Sequence, residues 1–251
     1  MKVIVTGSGG FIGKHLVAAL RRRGDEVVGI DRLNGGEAGE ISAHLNGVDL
    51  VYHLAAQTSV FNSDLNAIER DNIAAFIAVC TACAKRGVPL VYASSSTAIN
   101  TTSLYGLSKR FDEDFAELYH PWAVGVRLHN VYGPSPRQGT LLWHLMSDDK
   151  VTLYNGGRNL RHFTYIDDAV AGLMAAERLT GREQLVNVAN PELTSTLDFA
   201  RAVAARNGVR LELNEEHRPL DKVVQRIDRG VYTIPLPYKS YIDGVRLSTG
   251  G

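Results

Sequence analysis

The sequence predicts an α/β fold built on a doubly wound parallel sheet with helices on both faces. Short β-branched runs at residues 3–5, 26–30, 50–53 and 90–93 alternate with helical stretches at residues 14–23 and 71–86. Strands that alternate with helices in this way pair in parallel, because each connection has to cross back over a face of the sheet. A glycine-rich segment directly after the first strand strengthens the prediction, since such sheets use this turn between a strand and its helix.

The alternation continues to about residue 130 and then weakens. Residues 105–119 have an amphipathic helical pattern and residues 123–127 form a further strand, after which turn residues accumulate. Helical patterns at residues 167–179 and 195–207 remain, between short strands and prolines. We therefore predict a Rossmann-type core over residues 1–130, completed by later segments near residues 160–190. A small C-terminal lobe over residues 131–251, interleaved with the core, would mainly bind the substrate at the carboxyl edge of the sheet.

The composition argues against several classes of protein. Lys and Arg together number 27, as do Asp and Glu, so the 251-residue chain has no net charge and no basic run that would indicate a nucleic acid partner. No apolar run approaches the roughly 20 residues that span a membrane, and Met1 leads directly into a strand. We therefore expect a soluble, cytoplasmic protein with no membrane partner.

The segment after the first strand predicts a dinucleotide site. Gly7, Gly10 and Gly13 have the spacing that lets a backbone turn sharply, approach a pyrophosphate and present helix N-terminal amides to its charge. The second strand ends at Asp31, where a carboxylate accepts hydrogen bonds from ribose hydroxyls and repels a ribose phosphate. This carboxylate favours NAD over NADP as the cofactor, although the adjacent Arg32 has the charge that a phosphate would need.

Three further residues predict proton transfer beside that cofactor. Tyr105 and Lys109 are about one helical turn apart, so both side chains lie on the same face of the predicted helix. A tyrosine with an ordinary pKa is a poor base at neutral pH, and a neighbouring ammonium group stabilises the phenolate that is needed. Ser96 follows the strand at residues 90–93 and could hydrogen-bond the reacting oxygen. The set indicates hydride chemistry on an alcohol carbon.

Other residues capable of metal or redox chemistry are interpreted as structural. Cys80 and Cys83 lie in a largely apolar helical stretch without further ligands grouped nearby, so we interpret them as buried packing. The acidic pair at residues 167–168 begins a predicted helix, where carboxylates cap free amides. We predict no metal site, because no pattern pairs the histidines as ligands, namely His53, His129 and His162.

Together these residues resemble a known family. Besides the glycine motif and the Ser96, Tyr105 and Lys109 set, the chain contains, in order, His53-Leu-Ala-Ala-Gln57, Asn72, Arg127-Leu-His-Asn-Val-Tyr-Gly-Pro134 and Arg161-His-Phe-Thr-Tyr-Ile-Asp-Asp168. Over nearly its whole length it resembles the extended short-chain dehydrogenase/reductase family, in particular the NAD-dependent nucleotide-sugar epimerase and dehydratase branch. The resemblance implies NAD as the cofactor, a nucleotide-diphosphate sugar as the substrate, and a homodimer packed through the helices at residues 72–86 and 105–119.

The resemblance also implies a set of binding residues. Asn130 would contact the sugar diphosphate, Arg161 and Arg218 would hold its phosphates, and Asp221 would meet the nucleotide ribose. Guanidinium groups suit this task because their forked donors match phosphate oxygens. The expected cofactor contacts are Gly7, Gly10, Phe11, Ile12, Gly13, Asp31, Arg32, Leu54, Ala55, Ala56, Asn72, Ala93, Ser94, Tyr105 and Lys109.

Thr97 and Ala98 discriminate among the reactions of the family. Sugar dehydratases typically have an acidic pair after the serine, and related decarboxylases have a glutamate, so the absence of a carboxylate here argues against both. We interpret the chain as an epimerase that inverts C4 of a UDP- or dTDP-hexose through a keto intermediate. One alternative is an NAD(P)-dependent reductase of a sugar or small carbonyl compound, which the unusually short segment between Ser96 and Tyr105 favours. A cofactor-sensing protein without catalysis is the other alternative.

Overall fold

A seven-stranded parallel sheet is the central feature of the computed structural model, which describes residues 1–250. The first half of the chain contains β1 (Lys2–Thr6), α1 (Phe11–Arg23), β2 (Glu26–Ile30), β3 (Leu50–His53), α2 (Leu65–Ile68), α3 (Ala75–Arg86), β4 (Leu90–Ser95), α4 (Leu104–Tyr119) and β5 (Ala123–Leu128). The second half contains β6 (Val131–Tyr132), α5 (Leu141–Ser147), β7 (Lys150–Leu153), β8 (Leu160–Arg161), β9 (Thr164–Tyr165), α6 (Ile166–Ala176), β10 (Leu185–Val188), β11 (Thr194–Ser195), α7 (Thr196–Asn207), β12 (Arg210–Leu213), β13 (Tyr232–Thr233) and α8 (Tyr241–Ser248).

The strand order confirms the predicted fold class. The sheet runs β13-β10-β5-β4-β3-β1-β2, and each neighbouring pair is parallel. The order reverses direction beside β1, as it does in doubly wound sheets, and the carboxyl ends of all these strands meet at one edge. β3 and β5 are buried along their whole length, as expected for strands covered by helices on both faces.

One apolar core cluster lies between the sheet and the helices on one of its faces. Phe76 on α3 is fully buried and meets the ring of Tyr92 on β4 with a centroid distance of 5.0 Å. Cys80 and Cys83 belong to the same cluster and are also fully buried. Ile41 joins it from a 3-10 segment, Ala38–His44, that follows β2.

The chain divides into two compact units. The first comprises residues 1–128, 170–188 and 228–235, and it contains the whole seven-stranded sheet. The second comprises residues 129–169 and 189–227 and the described residues from 236 to 250. β10 and β13 are the late segments that extend the sheet beyond β5.

The second unit is built from small two-stranded sheets and an aromatic cluster. β6 pairs with β9, β7 with β12, and β8 with β11. Phe163 stacks on Phe199 with a centroid distance of 4.0 Å, and Tyr132 meets Phe199 edge-on at 5.0 Å. These rings fix α7 against the short strands, because aromatic pairs bury large apolar areas.

Two elements depart from the predicted bounds in ways that matter for the site. The helix expected over residues 71–86 begins earlier, at Leu65, and includes a π-helical segment at Glu69–Ala74 between α2 and α3. The strand expected over residues 90–93 continues to Ser95, so Ser96 directly follows the last strand residue. Within residues 1–250, no helix is long and apolar enough to span a membrane.

Candidate active site

The glycine-rich segment forms a tight turn between β1 and α1. The amide of Gly7 donates to the carbonyl of Ile30 on β2 at 2.8 Å, and the amide of Gly10 donates back to Gly7 at 3.0 Å. A Cβ atom at Gly13 would lie 2.0 Å from the Gly7 carbonyl oxygen, so only glycine permits this approach of helix to turn. α1 begins at Phe11 without a side-chain cap, which leaves its first amides available to an anionic group.

The carboxylate of Asp31 lies beside this turn. Its Oδ2 accepts the amide of Gly9 at 2.9 Å, and its Oδ1 accepts the amide of Leu33 at 2.9 Å. A carboxylate has about four acceptor positions, so the side chain can still accept from a ribose hydroxyl. The glycine turn and Asp31 are thus brought together as the sequence predicts, in an arrangement that fits a dinucleotide.

Asn72 joins the segment after β3 to α4. Its Oδ1 accepts the amide of Gln57 at 2.7 Å, while its Nδ2 donates to the Gln57 carbonyl at 3.0 Å and to the Ser108 hydroxyl at 2.8 Å. These contacts use both hydrogens of the side-chain amide. Asn72 therefore fixes the backbone that carries Leu54, Ala55 and Ala56, and its direct contact with a cofactor stays a prediction.

Ser96 and Tyr105 are placed by a close contact between two turns. Ser96 is buried and begins a 3-10 turn, Ser96–Ala98, while Tyr105 lies in the first turn of α4. A Cβ atom at Gly106 would lie 2.7 Å from the Thr97 carbonyl oxygen, so glycine lets the first turn of α4 touch the serine turn. The short intervening segment thus brings the two turns together, and the sequence reasoning missed Gly106 as the residue that permits it.

Lys109 is buried on the same helix and forms an ion pair. Its Nζ donates to Oδ2 of Asp112 at 2.9 Å. Burial alone would lower the pKa of Lys109, but Asp112, Tyr105 and Glu113 together raise it above the ordinary value. The ammonium therefore stays charged, and its predicted effect on the Tyr105 hydroxyl stays a prediction. Asp112 was not identified from the sequence, although its spacing of three residues from Lys109 was a signal.

The predicted substrate residues all lie in the second unit. Arg161 and Asp221 form an ion pair, and the amide of Asn159 donates to the other oxygen of Asp221 at 2.8 Å. Burial lowers the pKa of Arg161, and Asp221 opposes that effect. The structure therefore joins two residues that the sequence prediction treated separately, and it adds Asn159.

Arg218 and Asn130 complete that set. The guanidinium of Arg218 lies 3.7 Å from the centroid of the Tyr154 ring, a stacking arrangement that arginine readily forms. The amide of Asn130 donates to the side-chain oxygen of Gln225 at 3.1 Å. Tyr154 and Gln225 thus orient two of the four predicted substrate residues.

The remaining candidate residues have structural surroundings. Burial raises the pKa of both Cys80 and Cys83 to about 12, so the thiols stay protonated. His53 contacts the Thr6 hydroxyl at 2.7 Å, and burial lowers its pKa to about 3. Asp168 at the start of α6 accepts the amide of Lys239 at 2.8 Å, which suits a structural role. Within residues 1–250, no group of His, Cys, Asp or Glu has the arrangement of a metal site.

The fold and these residues define a dinucleotide-binding α/β protein with a serine, tyrosine and lysine set. The model of the NAD-dependent epimerase/dehydratase family matches residues 3–189. The chain belongs to that family.

The relatives are nucleotide-sugar enzymes. UDP-glucuronate 4-epimerase 4 of Arabidopsis thaliana is 31% identical over 241 residues, which cover 71% of this chain and 55% of the relative. The Bacillus subtilis protein called uncharacterized UDP-glucose epimerase YtcB is 26% identical, with coverage of 85% and 84%. This chain spans 55% and 56% of the length of two plant UDP-glucuronate 4-epimerases, about half of each.

A solved structure is similar over almost the full chain. UDP-glucuronic acid 4-epimerase from Bacillus cereus, in complex with UDP-glucuronic acid and NAD, superposes with a TM-score of 0.84 at 25% identity. The match covers 99% of this chain and 98% of that one. The likeness extends to both compact units.

Proposed function

We propose that this chain is an NAD-dependent nucleotide-sugar epimerase that inverts C4 of a UDP- or dTDP-hexose through a keto intermediate. The proposal rests on the contact between the serine turn, Ser96–Ala98, and the first turn of α4. At this contact the two residues after Ser96 are Thr97 and Ala98, so neither provides a carboxylate. Epimerisation needs a base and a hydrogen bond to the reacting oxygen, and it needs no further acid to expel water. The epimerases among the relatives support this choice of reaction.

Tyr105, Ser96 and Lys109 would each have a different role in the reaction. When bound, NAD would supply a hydride acceptor and return the same hydride, so that no net oxidation occurs. Tyr105 takes the hydroxyl proton as the sugar carbon is oxidised, and it returns the proton after the keto sugar has presented its other face. Ser96 hydrogen-bonds the reacting oxygen, and the charged Lys109 stabilises the phenolate.

The cofactor would be held by the first unit. The glycine turn leaves the first amides of α1 available for a pyrophosphate, and Asp31 retains acceptor positions for ribose hydroxyls. Both features fit NAD, and the family and the solved structures in complex with NAD support the assignment.

The nucleotide sugar would be held by the second unit. Arg161 provides a guanidinium group for the diphosphate, and its pairing with Asp221 keeps it oriented while the site is free. Asp221 has a partly exposed side chain and can accept a ribose hydroxyl. Arg218 and Asn130 would supply the remaining polar contacts.

The test is a substrate panel followed by proton NMR. The purified chain is incubated with NAD and, separately, with uridine, thymidine and guanosine diphosphate hexoses. An inverted sugar stereocentre without net reduction of NAD is expected for one of them. Tyr105→Phe should lose this activity by a factor of about 100 or more, because general base catalysis contributes about that much. Tyr119→Phe, an exposed tyrosine on the same helix, is the matched control and should retain it.

A carbonyl reductase is the second candidate. The short segment between Ser96–Ala98 and α4 favours it, because little chain is available there to cover a substrate. Steady consumption of added reduced cofactor with a keto sugar, and no inversion of any panel member, would establish this function and exclude the epimerase.

We also propose that the chain forms a homodimer packed through the helices at residues 72–86 and 105–119, with exposed apolar side chains of α4 in the contact. Phe111, Phe115 and Tyr119 stack along this helix, and the Leu118 side chain is 89% exposed. Light scattering should give twice the chain mass. Leu118→Glu should yield a monomer, whereas Leu247→Glu on α8 should not, and a monomeric parent chain would contradict the proposal.

The cytoplasmic location stays a prediction.

A further inference from the structure

Arg32 directly follows the carboxylate that would meet the cofactor ribose. An arginine near this position is the group that accommodates the 2′-phosphate of NADP in dinucleotide-binding folds. In this structure its guanidinium is already occupied. Nη1 and Nη2 donate to the two oxygens of Asp71 at 2.9 and 2.6 Å, and Nε donates to Glu37 at 3.0 Å.

Asp71 has more contacts and is more buried than Glu37, the other partner of Arg32. Its side chain is 5% exposed, and it also accepts hydrogen bonds from Arg70 at 2.6 Å and from the Gln57 amide at 2.7 Å. The contact with Arg32 is the main cause that holds the pKa of Asp71 far below its usual range. The carboxylate is therefore ionised at neutral pH, and the bidentate contact between a guanidinium and a carboxylate is a strong hydrogen-bonding geometry.

The charged side chains around Arg32 disfavour the binding of a ribose phosphate. Arg32 pairs with the carboxylates of Glu37 and Asp71, Arg70 also pairs with Asp71, and the carboxylate of Asp31 belongs to the residue before Arg32. A ribose phosphate brings about two further negative charges at neutral pH. To bind here, the phosphate would have to displace Asp71 from Arg32 before it could pair with Arg32 itself.

We infer that Asp71 and Glu37 clamp Arg32 and thereby make the chain selective for NAD over NADP. Asp31 alone provides the usual selectivity, and the clamp adds to it by keeping Arg32, the cation that follows Asp31 in the chain, from pairing with a phosphate. Arg32 also borders an open cleft of about 400 Å³, together with Glu37, Gly39, Arg70, Ala74 and Ala75. The guanidinium therefore has room to reorient once its partners are removed.

The experiment measures the dissociation constants of NAD and NADP by titration calorimetry, without any turnover. Glu37→Gln with Asp71→Asn should shift the ratio of the two constants towards NADP by about tenfold, the scale of one gained charge-assisted contact. Adding Arg32→Ala to this background should abolish the shift. Glu40→Gln removes the same charge at an exposed position of the neighbouring 3-10 segment and should leave the ratio unchanged.

Each other outcome overturns the inference. An unchanged ratio in the double variant shows that Arg32 is not restrained by these carboxylates. A shift that persists without Arg32 shows that the carboxylates act by charge alone. If Asp71→Asn does not fold, Glu37→Gln decides, since it should give a smaller shift in the same direction. The inference rests on dinucleotide binding: a parent chain that binds NAD while its variants show no shift refutes only the clamp, whereas binding of neither dinucleotide refutes the proposed function as well.

Discussion

The ammonium of Lys109 lies 2.9 Å from Oδ2 of Asp112, and both side chains are buried, with 4% and 0% of their surfaces exposed. The groups that face this pair are His53, Cys80 and Tyr92 from neighbouring elements, and Tyr105 and Glu113 from α4 itself. Burial raises the pKa of Asp112 to about 6, and Lys109 opposes that rise. At neutral pH the carboxylate therefore offsets part of the positive charge that Lys109 presents to Tyr105.

Asp112→Asn should move the acidic limb of activity to lower pH. The asparagine keeps a hydrogen-bond acceptor for Lys109 but removes the opposing charge, so the Tyr105 phenolate is favoured at a lower pH. We expect a displacement of about one pH unit in the profile of kcat/KM, the usual scale for one neighbouring charge. Asp114→Asn, an exposed position on the same helix, is the control and should leave the profile in place. A displacement to higher pH would contradict this interpretation of the pair.

The same carboxylate should make stability depend on pH. The pKa of Asp112 is about 6 in the folded chain and near 3.8 in an ordinary environment, so the folded state binds the proton more tightly. Its contribution to stability is then fully present below about pH 4 and is lost as the pH rises through about 6. Between these limits the free energy of unfolding should fall by an amount on the order of 3 kcal/mol, at 1.36 kcal/mol per pKa unit.

Urea denaturation of the parent chain and of Asp112→Asn at pH 4, 5, 6 and 7 measures this loss. The difference between the two proteins should change steadily over this window, because the variant has no proton to release at this position. A constant difference at all four pH values would show that Asp112 is not protonated in the acidic folded state.

The sequence was sufficient for the parts of the site that depend on local spacing. The glycine turn, Asp31 at the end of β2, and the pair of Tyr105 and Lys109 follow from strand ends and from one helical turn. The hydrogen-bond partners of the site residues could not be predicted from the sequence. Asp71 lies 39 residues from Arg32, and Asn159 lies 62 residues from Asp221, so only the folded chain brings them together.

The misplaced start of the helix has a local cause. Residues 65–70 mix apolar side chains with Asn66, Glu69 and Arg70 over fewer than two helical turns, so the stretch is too short for its pattern to indicate a helix. The π-helical segment then shifts the register of the following turns, which a regular 3.6-residue period cannot anticipate. It is this segment that supplies Asp71 and Asn72.

Glu113→Gln should destabilise the fold. Glu113 accepts two hydrogen bonds from Arg127 at 2.7 and 2.8 Å and one from the Ser94 hydroxyl at 2.5 Å, all in a buried setting. Removing one charge of a buried pair leaves the other uncompensated and lowers the free energy of unfolding by about 3–5 kcal/mol. The loss should be smaller here, because Asp228 also pairs with Arg127 at 2.8 Å and offsets part of its charge.

The measurement is the urea midpoint of Glu113→Gln beside that of Glu117→Gln. Glu117 is exposed on the same helix, so its variant should unfold at the parent midpoint. Equal midpoints for the two variants would show that the Arg127 pair contributes nothing to stability.

Gly106→Ala should impair catalysis by separating the two turns that hold Ser96 and Tyr105. The added methyl group would lie 2.7 Å from the Thr97 carbonyl oxygen, so α4 or the serine turn has to shift. A misplacement of about 1 Å can cost on the order of 100-fold in rate, so kcat should fall by roughly 10- to 100-fold. The NAD dissociation constant should change less than kcat, because the glycine turn and Asp31 lie on other elements. Gly39→Ala, whose nearest neighbour is 3.9 Å away, is the control and should retain kcat. Full activity in Gly106→Ala would show that the contact between the turns does not set the distance from serine to tyrosine.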